Sequence, residues 1–185
     1  MKIRYNAPVT LTFALLATII LLLDQLLRLG LTQALFIVPG RHAFTVSDPV
    51  NIFRLFSHVL GHVNWEHLLG NFAIILLIGP ILEEKYGTLS MLAMIITTAF
   101  VTGILNVILF PTGLLGASGV VFMMILLASF TNIRNKEIPL TFILILIIYL
   151  AREFLSSFQE NEISEFAHIV GGLCGSMFGF IRSGK

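Results

Sequence analysis

Pro111–Ile133 reads PTGLLGASGVVFMMILLASFTNI, and this stretch decides how the chain is folded. From Ser118 to Ile133 it is a mostly apolar run of 16 residues, with Asn132, Arg134 and Lys136 marking a polar end. At about 1.5 Å per residue such a helix spans roughly 24 Å, less than a hydrocarbon core of ~30 Å. Ser118 therefore starts below the opposite membrane surface. The preceding Pro111–Ala117 is loop-like, rich in glycine and proline. Backbone of that kind is tolerated at membrane depth only where it is buried in protein or lines a water-filled cavity. The reading places a serine at the floor of such a cavity.

The rest of the chain fits a bilayer. Its 185 residues are enough for one domain; 57% are hydrophobic, 11% are charged and the mean hydropathy is +0.96. A soluble domain carries about 25% charged residues, so there are too few here to cover a water-facing surface. A net charge of +1 gives no electrostatic case for nucleic acid as a partner. Cys174 is the single cysteine, which excludes an intrachain disulfide.

Six apolar segments predict six spans in an all-α membrane domain covering residues 1–185: Pro8–Arg28, His67–Leu82, Thr88–Leu109, Ser118–Ile133, Ile138–Leu155 and Phe166–Ile181. Pro139 suits the first turn of the fifth. The first is longer than a signal-peptide core and lacks a small-x-small cleavage site, so it reads as a retained span. Both termini then share one side. Lys2, Arg4, Lys85, Arg134, Lys136, Arg182 and Lys185 fall there, against Arg28, Arg41, Arg54 and Arg152 on the other, which predicts cytoplasmic termini. The long connection from Gly30 to Glu66, rich in Phe, Val, Leu and His, reads as a segment at or partly in the outer interface. A loosely packed loop is the alternative.

Spans two, four and six run in the same direction, so their N-terminal ends share one depth. His67 and Asn71, Ser118, and His168 lie at those ends. Ionisable groups inside spans are costly and tend to face a bundle interior or a wet cavity. A serine hydroxyl needs a neighbouring base to act as a nucleophile, and histidine titrates near neutrality. Gly171, Gly172, Gly175 and Gly179 form a small-residue strip that lets helices approach closely. His168 shares its face, so packing the strip on the fourth span would bring His168 to the depth of Ser118. Gly116 and Gly119 allow tight backbone around the serine. The helix N-terminus there offers orphan N–H groups, that of Ser118 among them, to an oxyanion. His67 and Asn71, at i and i+4, share a face and can both donate to that oxyanion. Asp24 and Asp48 lie on the outer side, but nothing places either beside His168.

Gly116-Ala-Ser118-Gly119 resembles the G-x-S-G motif of the rhomboid family, and Ala167-His168 followed by Gly171 and Gly175 resembles its A-H-x-x-G-x-x-x-G motif. His67 with Asn71 is similar to its H-x-x-x-N element. Arg54, His58 and His62 fall where the family carries a first-loop arginine and further histidines, and Glu83 and Gly87 match the acid and glycine closing its second helix. Phe122 stands where a tyrosine often follows the serine by one turn, leaving a ring to pack on His168. The resemblance implies an intramembrane serine endopeptidase with Ser118 as nucleophile and His168 as base. His67, Asn71 and the Ser118 N–H would serve the oxyanion. Gly116, Gly119, His58, His62, Phe122, Gly171 and Gly175 would support the site. It also implies an acyl-enzyme, no metal or other cofactor, and substrates that are transmembrane proteins entering from lipid. A prokaryotic plasma membrane is the expected location, and the fifth span and the Ser156–Glu165 loop, where Phe154 and Phe158 could cap the cavity, are the expected substrate gate.

Each residue taken singly has a plainer reading. Ser118 could cap a helix, His168 could sit at an interface, and Asn71 and the glycines could serve packing. His58, His62 and His67 could bind a metal, although no H-E-x-x-H is present. A catalytically inactive relative that binds membrane-protein clients is the second functional reading. A small transporter is the third, and it would require midplane charges and repeats that the sequence lacks.

Overall fold

The computed structural model describes residues 4–130 and 162–183, together with Leu140, Ile143, Leu144 and Ile147, which are helical. The rest of the fifth expected span, with Phe154, lies outside the described residues, as does Phe158 in the loop that follows it. Seven α-helices are present among those described: α1 (Pro8–Leu27), α2 (Leu31–Leu35), α3 (Pro49–Ser57), α4 (Trp65–Tyr86), α5 (Thr88–Leu109), α6 (Ser118–Ser129) and α7 (Glu162–Ser183). A single 3-10 turn, His58–Leu60, follows α3. α1, α4 and α5 are long and apolar enough to cross a membrane, and α6 and α7 contribute shorter apolar segments. Leu15, Ile19, Leu22, Leu69, Leu77 and Ile81 all project outward, as lipid-facing side chains of an integral membrane protein should.

Local chemistry explains where the helices begin. Pro8 stands in the first turn of α1, where its missing N–H is harmless. The Glu83 carboxylate accepts the N–H groups of Val9 (3.0 Å) and Thr10 (2.9 Å) and the Thr10 hydroxyl (2.9 Å). An acid from the far end of α4 thus caps α1. Asp48 caps α3 through the Val50 N–H at 2.9 Å, with Pro49 behind it. Asn64 caps α4 through the His67 N–H at 2.8 Å, so α4 starts at Trp65, two residues before the apolar run suggests. It also runs past Leu82 to Tyr86, because a backbone ladder continues through polar residues until Gly87 turns the chain at φ 84°. α6 ends at Ser129 among the described residues, and residues 131–133 of the expected span lie outside them. Phe130 leaves the helix there and packs its ring against Gly179 and Phe180. Twelve residues make α6 about 18 Å long.

The first loop is ordered and packed. The Leu55 carbonyl lies against Gly103 of α5, and Phe56 stacks on Phe100 at 5.3 Å. Phe100 is nine residues from the end of α5, or about 14 Å along its axis, so α3 descends well along the side of the bundle. Val38 and Leu114 exchange two backbone hydrogen bonds of 2.9 Å, and the Arg41 N–H donates to the Phe110 carbonyl at 2.8 Å. These bonds sew the first loop to the segment before Ser118. A small core of Val38, Leu55, Val107, Leu114 and Ala167 seals that junction. The main core joins α1, α4, α5, α6 and α7 through Phe72, Ile75, Met91, Met123, Leu127 and Val170.

Candidate active site

Ser118 is the first residue of α6 and is half-buried. Ala117 occupies the capping position and no side chain caps the helix. The plainer reading of this serine, as a helix cap, is not what the structure adopts. Gly116 carries φ 113°, a conformation side chains rarely adopt. Its N–H donates to the His58 carbonyl at 3.0 Å, which fixes the turn that presents the serine. A methyl group at position 116 would lie 2.7 Å from Cε1 and 2.8 Å from Nε2 of His67. The imidazole of His67 thus sits directly on the backbone two residues before Ser118.

α7 meets α6 backbone to backbone. A methyl group at Gly171 would overlap the Gly119 carbonyl, and one at Gly175 would overlap the carbonyl of Met123. Seen from α6, a methyl at Gly119 would lie 3.2 Å from the Ala167 carbonyl. The glycine strip therefore does what its spacing predicts. At this crossing it is the Met123 backbone, not its side chain, that Gly175 approaches. One consequence reaches the reactive groups. The His168 ring stacks on Phe122, 4.1 Å between centroids and 5° from parallel. Phe122 is one helical turn beyond Ser118, so His168 lies over the face of α6 that carries the serine.

The second face of the site comes from α4 and the first loop. The His62 Nδ1 lies 3.3 Å from the Leu60 carbonyl, which can only accept, so Nδ1 carries the proton. Nε2 is then an acceptor, and the Asn71 amide donates to it at 3.1 Å. The His62 and His67 rings meet edge to face at 5.0 Å. Burial, with His67 alongside, pushes His62 down to about 4, and it is neutral at physiological pH. His58 lies apart from this group. Only 1% exposed, it is held between the Arg54 carbonyl and the Thr102 hydroxyl, each at 3.3 Å. Burial pushes it, too, down to about 4. The support that His58 gives is structural: its carbonyl holds Gly116 and its ring is buried.

The structure therefore brings Ser118, His168, Phe122, Gly119, Gly171 and Gly175 together where α6 meets α7. Gly116 and His67 lie alongside, with Asn71 and His62 behind His67. Neither aspartate joins them. Asp24 accepts the N–H groups of Leu31 (2.7 Å) and Thr32 (3.0 Å), and Asp48 caps α3. Two residues escaped the sequence reading. The Thr102 hydroxyl sits among the Thr98 carbonyl at 2.8 Å, the Ala99 carbonyl at 3.0 Å and the His58 ring at 3.3 Å, and its methyl group lies beside Gly119. The Asn106 amide holds the Thr112 carbonyl at 3.0 Å. Their signal was the spacing Thr98, Thr102, Asn106, a polar stripe at i, i+4, i+8 in an otherwise apolar span.

Residues 49–185 match the Rhomboid domain family. The chain is 26% identical over 184 residues to "Rhomboid protease GlpG" of Haemophilus influenzae, covering 96% of this chain and 92% of that protein. It is 29% identical over 154 residues to "Rhomboid-related protein 1" of Caenorhabditis elegans, covering 77% of this chain and 43% of that protein.

Proposed function

Because this chain belongs to the rhomboid family, we propose that it is an intramembrane serine endopeptidase that cleaves other membrane proteins in or near their transmembrane segments. The domain comprises six spans with cytoplasmic termini: α1, α4, α5, α6, α7 and the segment 138–155. Substrate segments enter from the lipid, and water reaches the site from the outer face of a prokaryotic plasma membrane.

The Ser118 hydroxyl attacks the scissile carbonyl as His168 takes its proton. Phe122 holds the imidazole flat above the serine face of α6. The oxyanion that forms is met by the Ser118 N–H at the start of α6, by the His67 ring and by the Asn71 amide. An amide nitrogen carries two N–H bonds. His62 takes one and the other serves the oxyanion. His168 then protonates the leaving amine, and the acyl group stays on Ser118. Water, activated by His168, releases it. With both aspartates spent on helix caps, the stacked aromatic ring takes over the orienting task that a carboxylate performs in a triad.

The observation that carries this reading is the backbone contact between α6 and α7, which sets His168 on Phe122 one turn from an uncapping serine. The test is labelling by a fluorophosphonate serine-hydrolase probe in detergent. Wild-type protein is expected to label, and Ser118→Ala and His168→Ala are expected to lose the label. A folded wild type that does not label would instead favour an inactive relative that binds membrane-protein clients.

A further inference from the structure

At the end of the bundle remote from Ser118, the last turns of α4 and α7 enclose a cleft of about 330 Å³ lined by Lys85, Tyr86, Ile181 and Arg182. This is where α1 begins, α4 gives way to α5 and α7 ends, so the cleft lies at a membrane–water boundary. Its walls are of two kinds. Ile181 is 62% exposed and supplies apolar surface beside the Tyr86 ring. Lys85 and Arg182 are exposed cations at the mouth, and the Lys85 Nζ lies 5.5 Å from the centre of the Tyr86 ring. Tyrosine favours the headgroup level, where one end of the ring is apolar and the other wet. Of the two acids that precede Lys85, buried Glu83 caps the N-terminus of α1 and Glu84 is exposed.

We propose that this cleft binds the headgroup of an anionic phospholipid. Its phosphate lies between Lys85 and Arg182, and its glycerol and upper acyl carbons lie against Tyr86 and Ile181. Arginine recognises phosphate through its planar donor fork and lysine as a point charge. A basic pocket between membrane helices at the headgroup level is the geometry that retains such lipids. A free phosphate would use the two cations alone and leave the apolar wall idle. The lipid uses both.

The test measures phosphatidylglycerol binding to delipidated, detergent-solubilised protein by native mass spectrometry, with phosphatidylcholine and inorganic phosphate as parallel ligands. Wild type is expected to retain phosphatidylglycerol in preference to phosphatidylcholine. Lys85→Gln with Arg182→Gln should weaken that binding about tenfold or more. Arg4→Gln, which removes an exposed cation outside the lining, should leave it unchanged. Lys85→Arg with Arg182→Lys keeps both charges and should retain the lipid, while an unchanged thermal unfolding midpoint shows that the glutamine variant is folded. Equal retention of the two lipids, equal loss in Arg4→Gln, or displacement of the lipid by millimolar phosphate would each overturn the proposal.

Discussion

Asn71 donates to His62 and stands one turn after His67 on α4. In the proposed reaction it also stabilises the oxyanion, a charge present only in the transition state. Loss of one such donor costs about 10²–10³ in kcat, and little ground-state binding should go with it. Asn71→Ala is therefore expected to lower kcat about a hundredfold or more with KM nearly unchanged, measured by steady-state cleavage of a transmembrane reporter peptide. A residue serving only to join helices would show the opposite: a lower unfolding midpoint and an intact kcat in the folded fraction. The i, i+4 spacing of His67 and Asn71 was legible in the sequence because helical periodicity determines it. The resemblance names His62 as a support, but its bond to Asn71 was not legible, because it depends on how the loop from Gly61 to Asn64 folds back on α4. The bland reading of Ser118 as a cap failed for an equally local reason, since Ala117 takes that position.

The contact between α6 and α7 is an element-scale property, built on glycines that oppose carbonyl oxygens. Gly171→Ala drives a methyl group into the Gly119 carbonyl. Backbone cannot yield as a flexible side chain does, so the helices must part, at a cost of about 1–3 kcal/mol or more. Separation also lifts His168 away from Phe122. The expected result is a lower thermal unfolding midpoint in detergent and at least a tenfold loss of cleavage. Gly172→Ala is the control, because its methyl group would meet only Leu126, at a comfortable 3.8 Å, and both readouts should stay near wild type. The strip was legible from its spacing alone. Helix α3 was not. The apolar content of the first loop marks an interfacial segment, whereas the helix itself is signalled only by Asp48-Pro49, an N-cap followed by a proline at the first helical position. Helix ends were read from where apolar runs stop, whereas the structure ends helices where caps and glycines do so.

Across the whole molecule, His58 and His62 make stability depend on pH. Both are buried at the junction of the first loop with α4 and α5, and burial lowers each from 6.5 to about 4. Between those values the unfolded chain binds protons that the folded chain refuses. Their contribution is therefore fully present above about pH 6.5 and is lost as pH falls towards about 4. The slope is about 1.4 kcal/mol per pH unit for each histidine. Reversible unfolding in mixed micelles should show a midpoint that falls steadily from pH 6.5 to 4.5, with a shallower slope for His62→Gln. A flat midpoint would mean that these rings reach water. The sequence could not have supplied this, because both histidines lie in a loop whose burial arises from tertiary contacts, among them the bridge between Val38 and Leu114 and the packing of Leu55 on Gly103.

The carboxylate of Glu83 has a consequence in time as well as in space. α1 emerges from the ribosome first, and its cap is 73 residues further along the chain. At about 5–20 residues per second, roughly 4–15 s pass before Glu83 exists. Throughout that interval the N–H groups of Val9 and Thr10 must be satisfied by water, because the bilayer interior offers no partner. The first span therefore waits with its leading turn at the wet boundary, and only the arrival of α4 allows that turn to be sealed against the bundle. Assembly of this protein thus has an order written into it: α1 is inserted early and docked late.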